Sequence, residues 1–367
     1  MTAPGGPTAL LRAEALYDAG RYAQAGALVA QHLATDPEDA EALVLLARCH
    51  HRSGEGPAAL AAVDQALRAQ PDLLGGWLMR VHVLLAAKRY PEAEASARHA
   101  VELAPQYWGT HYALGTALAE HGEHARTPGR TVEAYEAARA AVELAPEEDA
   151  AHFLVGLTAQ RRGDRVTAQR AYETTLRLNP QSSEAHNNLS LLRLRRRWFH
   201  RGAWTQAAEG FVASAALDLQ DRKARHNLEA MAWNTVAGAR WVALLGFIAS
   251  AVARAWVPDG AGWSEAAVPL LVGGTVVVGS WTGWAVWMAR RVPPRLRRPM
   301  LLVARNCRPV LFMGGAVGLL GLYSLVALAL RSVGSGVVNG LGTPLFWAVI
   351  ITYWVSRSAL NRRAPKD

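Results

Sequence analysis

Twelve histidines, all before residue 227, invite a metal or acid–base reading, so their spacing comes first. No His-Glu-x-x-His or Cys-x-x-Cys occurs, and no carboxylate–histidine cluster stands at ligand spacing. His50 and His51 are adjacent and would face different sides of a helix. Cys49 and Cys307, the only cysteines, are too few for a disulfide framework or a thiolate zinc site and read as free thiols. No Gly-x-Ser-x-Gly lies in a strand-to-helix context: Gly334-Ser335-Gly336 falls between two hydrophobic segments. No Gly-rich phosphate loop follows a strand, and no segment reads as a strand. The expectation is therefore a protein without catalytic residues, metal or cofactor, whose chemistry is recognition.

The elements that would position recognition residues are marked by prolines. Pro37, Pro71 and Pro105 are 34 apart, as are Pro146 and Pro180, and the one irregular step is 41. Ala-Val-Glu-Leu-Ala-Pro occurs at 100–105 and again at 141–146, and Thr-Leu-Arg-Leu-Asn-Pro at 175–180. A small residue recurs at Ala13, Ala47, Val81, Gly115, Gly156 and Ser190. Gly20, Gly54, Gly163 and Gly202 follow at the expected turn, and Ala25, Ala59, Ala93, Ala134, Ala168 and Ala207 sit where two helices would cross closely. This pattern is a repeated helix-turn-helix.

At these positions the sequence resembles the tetratricopeptide repeat family, with six units over about residues 6–219. Trp77 and Leu114-Gly115 fall where that family prefers an aromatic and a Leu-Gly pair. His111, His152 and His186 share one family position and read as packing residues. The fourth unit carries seven extra residues around Glu123–Gly129 and the sixth five around Arg195–His200, both expected in the turn within a unit, where longer loops cost little. The resemblance implies stacked helix pairs whose first helices line a concave groove. By family register that groove is lined by Val44 and Arg48, Leu78 and His82, Tyr112 and Thr116, Phe153 and Leu157, then Asn187, Asn188 and Leu191. These are mostly apolar or aromatic and suit a peptide, with Asn188 placed to bond its backbone or carboxylate. The competing reading has the same side chains packing on neighbouring helices.

The formal charge of +9 divides unevenly. Residues 1–233 hold 25 Lys/Arg and 27 Asp/Glu, a balance of −2; residues 234–367 hold 14 against three, a balance of +11. The cations thus flank apolar segments, which points to a membrane and away from nucleic acid. Residues 266–289, 309–330 and 332–356 carry no charge, each long enough to cross about 30 Å of hydrocarbon. A weaker fourth span covers Trp241–Val257, with Arg254 near enough its end to snorkel. The expected organisation is all-α: a repeat superhelix over 1–219, a capping and connecting helix over 220–235, a four-helix transmembrane domain over 236–357, and a basic tail over 358–367. Its spans are about 236–257, 266–289, 309–330 and 337–355.

Seven arginines between 290 and 308, and four cations after Ser356, place that loop and the tail in the cytoplasm. Counting spans puts the repeats there too, in a bacterial inner or plasma membrane; the Ala/Arg/Gly-heavy composition resembles that of actinobacterial membrane proteins. Met1–Leu16 lacks the pattern of a cleaved signal peptide. Trp256 and Trp263 would mark the outer interface, and Trp241, Trp284, Trp287 and Trp354 the inner one. Gly279-x-x-x-Gly283 and Gly314-x-x-x-Gly318 read as ridges for helix packing, of the second span on the third or of one copy on another in a homodimer. Asn339, the only amide in the last span, reads as bonded to a neighbouring backbone. Arg195, Arg196, Arg197 and Trp198 would dock on anionic headgroups or stand solvated. These features point to a membrane-anchored scaffold that holds a cytoplasmic protein partner. The alternative is a transporter or channel subunit with the repeats as a regulatory domain; a membrane-embedded enzyme ranks last.

Overall fold

A computed structural model describes residues 6–125, 127–195, 202–217, 222–257, 262–329 and 335–363. Among these there is no strand, and the chain divides into two compact units, Met1–Pro180 and Gln181–Asp367.

The first unit is five helix pairs: α1 (Gly6–Asp18) with α2 (Tyr22–Leu33), α3 (Ala40–Arg52) with α4 (Gly56–Ala69), α5 (Leu74–Ala86) with α6 (Tyr90–Leu103), α7 (Trp108–Ala125) with α8 (Pro128–Leu144), and α9 (Asp149–Arg161) with α10 (Arg165–Leu178). The hairpin turns need a left-handed residue, and Gly20, Gly54 and Gly163 supply it at φ 75°, 83° and 83°. The third pair has no glycine there, and Lys88 takes the same region at φ 57°. The recurring alanines Ala25, Ala59, Ala93, Ala134 and Ala168 are each fully buried, which lets the paired helices approach closely.

The residue six after three of the prolines has a definite task. Trp77 Nε1 donates to the Pro71 carbonyl at 2.8 Å, and His111 and His152 Nε2 bond the Pro105 and Pro146 carbonyls at 2.8 and 2.9 Å. Each ring closes the loop between units by satisfying a carbonyl that helix geometry leaves open. These histidines are loop-tying donors, more specific than the packing role read from the sequence. The seven-residue insertion also differs from expectation. It does not make a longer turn: α7 has 18 residues where α3, α5 and α9 have 13, and α8 has 17 where α4, α6 and α10 have 14. Ala, Glu and His around residues 117–125 favour helix over loop, so the added chain lengthens both arms.

The second unit holds α11 (Ser183–Arg195), α12 (Ala203–Leu217), α13 (Arg222–Ala255), α14 (Trp263–Arg291), α15 (Pro294–Asn306), α16 (Arg308–Ala329) and α17 (Ser335–Arg362). The α11–α12 hairpin, counted by period as the sixth repeat, shares one core with the C-terminal helices. Trp204 and Phe211 of α12 join Met231 and Trp233 of α13, Leu296 of α15, Met313 and Leu320 of α16, and Val349 of α17. Trp233 Nε1 donates to Ser356 Oγ at 2.9 Å deep in that core. The connecting segment and first span form one 34-residue helix, α13, as the absence of Gly and Pro from 221–235 leads one to expect.

Among the described residues, three helices are long and apolar enough to cross a membrane, at Arg225–Ala255, Ser264–Arg291 and Arg308–Ala329. One face of each carries large apolar side chains outward: Trp241, Leu245, Ile248, Leu271, Phe312 and Leu319 are all exposed. The fourth expected span falls in α17, which is 28 residues long and is not one of the three. Arg254 Nη1 lies 3.4 Å from the Ala327 carbonyl, the last turn of α16, and so meets a helix end. The Arg-rich connection expected as a loop is helical over Pro294–Asn306: Leu296 and Met300 point inward while its arginines face outward.

The glycine ridges read from the sequence are not where these helices meet. A Cβ on Gly279, Gly283 or Gly318 would find no atom within 4 Å, and one on Gly314 would touch only Val236 of α13, at 3.6 Å. The close approaches are at other glycines: Gly321 against the Trp281 ring at 2.6 Å, Gly238 against Trp284 at 2.9 Å and Gly273 against Ala253 at 2.6 Å. A GxxxG spacing marks a smooth surface but does not say which smooth surface is used, and here indole rings fill the hollows.

Candidate functional site

In the first unit, α3 touches α1 and α5, and α7 touches α5 and α9, so the first helices of the pairs form an adjoining series. Their shared surface carries the residues expected to meet a partner. Val44, Arg48, Leu78, Tyr112, Thr116, Phe153 and Leu157 are half-buried, and His82 is exposed.

Most of these side chains also hold neighbouring helices. Val44 packs on the core around Ala47 and Met79, and Leu78 on that around Val81 and Ala113. Tyr112 and Leu157 flank the core around Leu154. Arg48 stacks over the Tyr17 ring at 4.3 Å, Phe153 meets the Tyr172 ring at 5.6 Å, and Trp108 packs edge-on against Tyr112 at 5.8 Å. Thr116 Oγ1 donates to the Tyr112 carbonyl at 2.8 Å. The surface therefore combines both readings of the sequence: inner edges of these side chains pack, and outer edges remain open. His82 keeps an open edge, but protein packed around the rest of its ring desolvates it, and this first, then the nearby His51, lowers its pKa.

The three remaining residues belong to the second unit. Asn188 and Leu191 are half-buried on α11. Asn187 is buried, and its Oδ1 accepts from Asn227 Nδ2 at 2.8 Å, which ties α11 to α13 and removes Asn187 from any ligand-facing set. Of the basic-aromatic run, Arg196, Arg197 and Trp198 lie outside the described residues, as does the side chain of Arg195. So does that of Asn339.

A charged cluster that the sequence did not reveal stands on α6, α7 and α8. Glu94 is buried and paired with Arg98 at 3.0 Å, with His121 at 2.7 Å and with Arg130, while Arg98 also reaches Glu133 at 2.8 Å. Burial works to raise the Glu94 carboxyl, but the His121 and Arg98 hydrogen bonds and the Arg130 charge outweigh it and hold the pKa below the ordinary value. Glu120, at the end of the length that α7 shares with the other first helices, and Glu123, in its added turn, both pair with Arg161 of α9, Glu120 at 2.9 Å.

The fold also assembles one carboxylate–histidine group that sequence spacing missed. Ligand atoms of His32, Asp36 and Asp39 lie within 4.8 Å of one another. Asp39 is the N-cap of α3: its Oδ1 accepts from the Ala42 amide at 2.9 Å, and its Oδ2 bonds His32 at 2.7 Å. Burial raises the Asp39 pKa, but these partners more than offset it, and the net shift is downward. Two of the three groups are thus committed to starting a helix.

Sequence profiles of the tetratricopeptide repeat match residues 16–74, 78–126 and 156–222. Over these residues the chain consists of tetratricopeptide repeats. No curated protein matches it by sequence. Among solved structures, the thermophilic repeat protein TTC0263 of Thermus thermophilus is 19% identical, with 51% of this chain covering 95% of that one at a TM-score of 0.45. MamA of Desulfovibrio magneticus is 20% identical over 50% of this chain and 97% of its own, TM-score 0.40. YrrB, described as a repeat protein with an unusual peptide-binding site, is 19% identical over 54% and 96%, TM-score 0.38. Each likeness covers about half of this chain.

Proposed function

We propose that the repeat domain holds a protein partner by an exposed peptide segment and that the C-terminal helices anchor it in a bacterial inner membrane, with repeats and tail in the cytoplasm. The observation that carries the binding half is the series of half-open side chains on the first helices, from Val44 through Leu157. Arrays of this kind present extended surfaces lined by successive repeats. Half-buried aromatics such as Tyr112 and Phe153 offer anchor area already fixed by their neighbours, so little side-chain freedom is lost on binding.

The anchoring half rests on three long apolar helices, each with large apolar side chains outward on one face, and on the eleven-unit excess of cations in that half. In water such a surface would aggregate; in a bilayer it is solvated. α17 serves as the fourth crossing, which returns the basic tail to the side of the 290–308 arginines. The reading involves no covalent step.

A photo-crosslinking amino acid placed in the full chain in native membranes tests the binding half. At His82 or Tyr112 it should capture a discrete partner, and at Val166, exposed on the second helix α10, it should not. Equal capture at both faces would refute a specific inner-face site. Extraction at alkaline pH tests the anchor: a chain released from vesicles is not integral.

A further inference from the structure

Where α13, the end of α14 and α15 come together there is a pocket of about 390 Å³. That lies within the roughly 300–1,000 Å³ range of small-ligand sites. Val236, Met288, Val292, Met300 and Leu301 form its larger walls, with alanines between them; Thr235 and Arg297 are its only polar lining residues. Thr235 donates to the Met231 carbonyl at 2.9 Å, so its hydroxyl is satisfied within α13. Arg297 Nε and Nη2 lie 3.2 and 3.3 Å from the Val292 and Ala289 carbonyls, which fixes the guanidinium beside the pocket. Its Nη1 takes part in neither bond.

The charge around this pocket is one-sided. Residues 290–308 contain seven arginines and no acid. Arg295 is paired with Glu209, and Arg291 stacks on Trp204 and Trp287 at 5.3 and 4.7 Å, but Arg298, Arg305 and Arg308 are exposed like Arg297. Leu301 and Leu302 are also exposed, on the same helix as these cations. A short helix with outward leucines and arginines has the composition of a segment lying in a membrane interface.

We propose that this pocket takes one acyl chain of an anionic glycerophospholipid, with the headgroup phosphate on Arg297 and its neighbouring arginines. The inference rests on the membrane reading above. A free anion could use the same guanidiniums but would leave the apolar walls of the pocket unfilled. A zwitterionic lipid would bring its cation beside the exposed guanidiniums of Arg297, Arg298 and Arg305, where the acid of α12, Glu209, is already paired with Arg295. An anionic lipid matches both the apolar wall and the net charge, and basic pockets beside cytoplasmic membrane helices are suited to such headgroups.

The test uses the full chain in nanodiscs containing trace phosphatidylglycerol or phosphatidylcholine with a photoreactive group on one acyl chain. Peptides covering residues 288–304 should be labelled severalfold more by the anionic probe. Arg297→Gln should lower that label about fivefold, the effect of one cation near a membrane surface, and Arg297→Lys should largely keep it. Ala304→Trp, which fills the pocket, should remove the label while leaving that at Leu319 and Leu322 of α16 unchanged; it decides the matter if Arg297→Gln fails to fold. Equal labelling by both probes, or labelling indifferent to Ala304→Trp, overturns the proposal. Alkaline extraction of the same chain separates the two levels: retention without anionic preference sinks the pocket alone, whereas release sinks the membrane reading.

Discussion

At Gly156 a Cβ would stand 2.6 Å from the ring of Tyr172, a side chain with no exposed surface. Gly156→Ala should therefore destabilise the first unit by about 1–2 kcal/mol, the cost of overpacking less what alanine returns in helix propensity. Urea denaturation followed by circular dichroism would show it, and an unchanged midpoint would mean the ring has room to move. The sequence showed that a small residue belongs at this position but not what crowds it. The same holds for His111 and His152: their recurrence was plain, whereas the proline carbonyls they bond became visible only when the loops were folded. Asn187 was misplaced for a related reason, since its partner Asn227 is 40 residues away and outside the repeat register.

Among the elements, the turns were legible because glycine has few substitutes at positive φ, and the exception is informative. Lys88 holds the left-handed position between α5 and α6 that glycine holds in three other turns of the same unit. Lys88→Gly should stabilise the protein by roughly 0.5–1 kcal/mol, the relief of left-handed strain exceeding the added freedom of the unfolded chain. A thermal midpoint that falls would show that the lysine side chain compensates for its backbone. The inserted residues were located correctly but assigned to the wrong structure, because period alone does not separate a longer loop from two longer helices. Their helical form brings Glu123 to Arg161 and places His121 and Arg130 around Glu94. Both Glu94 and Asp39 titrate below their ordinary values, so their stabilisation is complete above the unfolded carboxylate pKa of about 4 and is lost as pH falls through the lower folded values. Glu94→Gln should flatten the decline in stability below pH 4, and an unaltered acid limb would remove Glu94 as its cause.

For the whole molecule, period and contact give different divisions. The repeat count ends near residue 219, whereas the compact units part at Pro180 and Gln181. The α11–α12 hairpin buries Trp204, Ala208 and Phe211 in a core completed by α13, α15, α16 and α17. A fragment of residues 1–180 should accordingly be soluble and helical, while one of residues 1–219 should expose that apolar face and associate. Gel filtration of both would check this, and a monomeric 1–219 beside an aggregating 1–180 would reverse the division. The long apolar helices of the second half were readable from its uncharged stretches. Their interior packing was not, because Gly279, Gly283 and Gly318 carry the right spacing and meet nothing, while single glycines facing tryptophans do the fitting.

The two cysteines fall one to each unit, Cys49 on α3 and Cys307 between α15 and α16, and both are buried. Burial raises the pKa of each thiol, so neither presents much thiolate to a reagent while its unit stays closed. The protein thus carries two native clocks: the rate at which each sulfur becomes alkylated reports how often its own surroundings open, with no label introduced and no background from the other half.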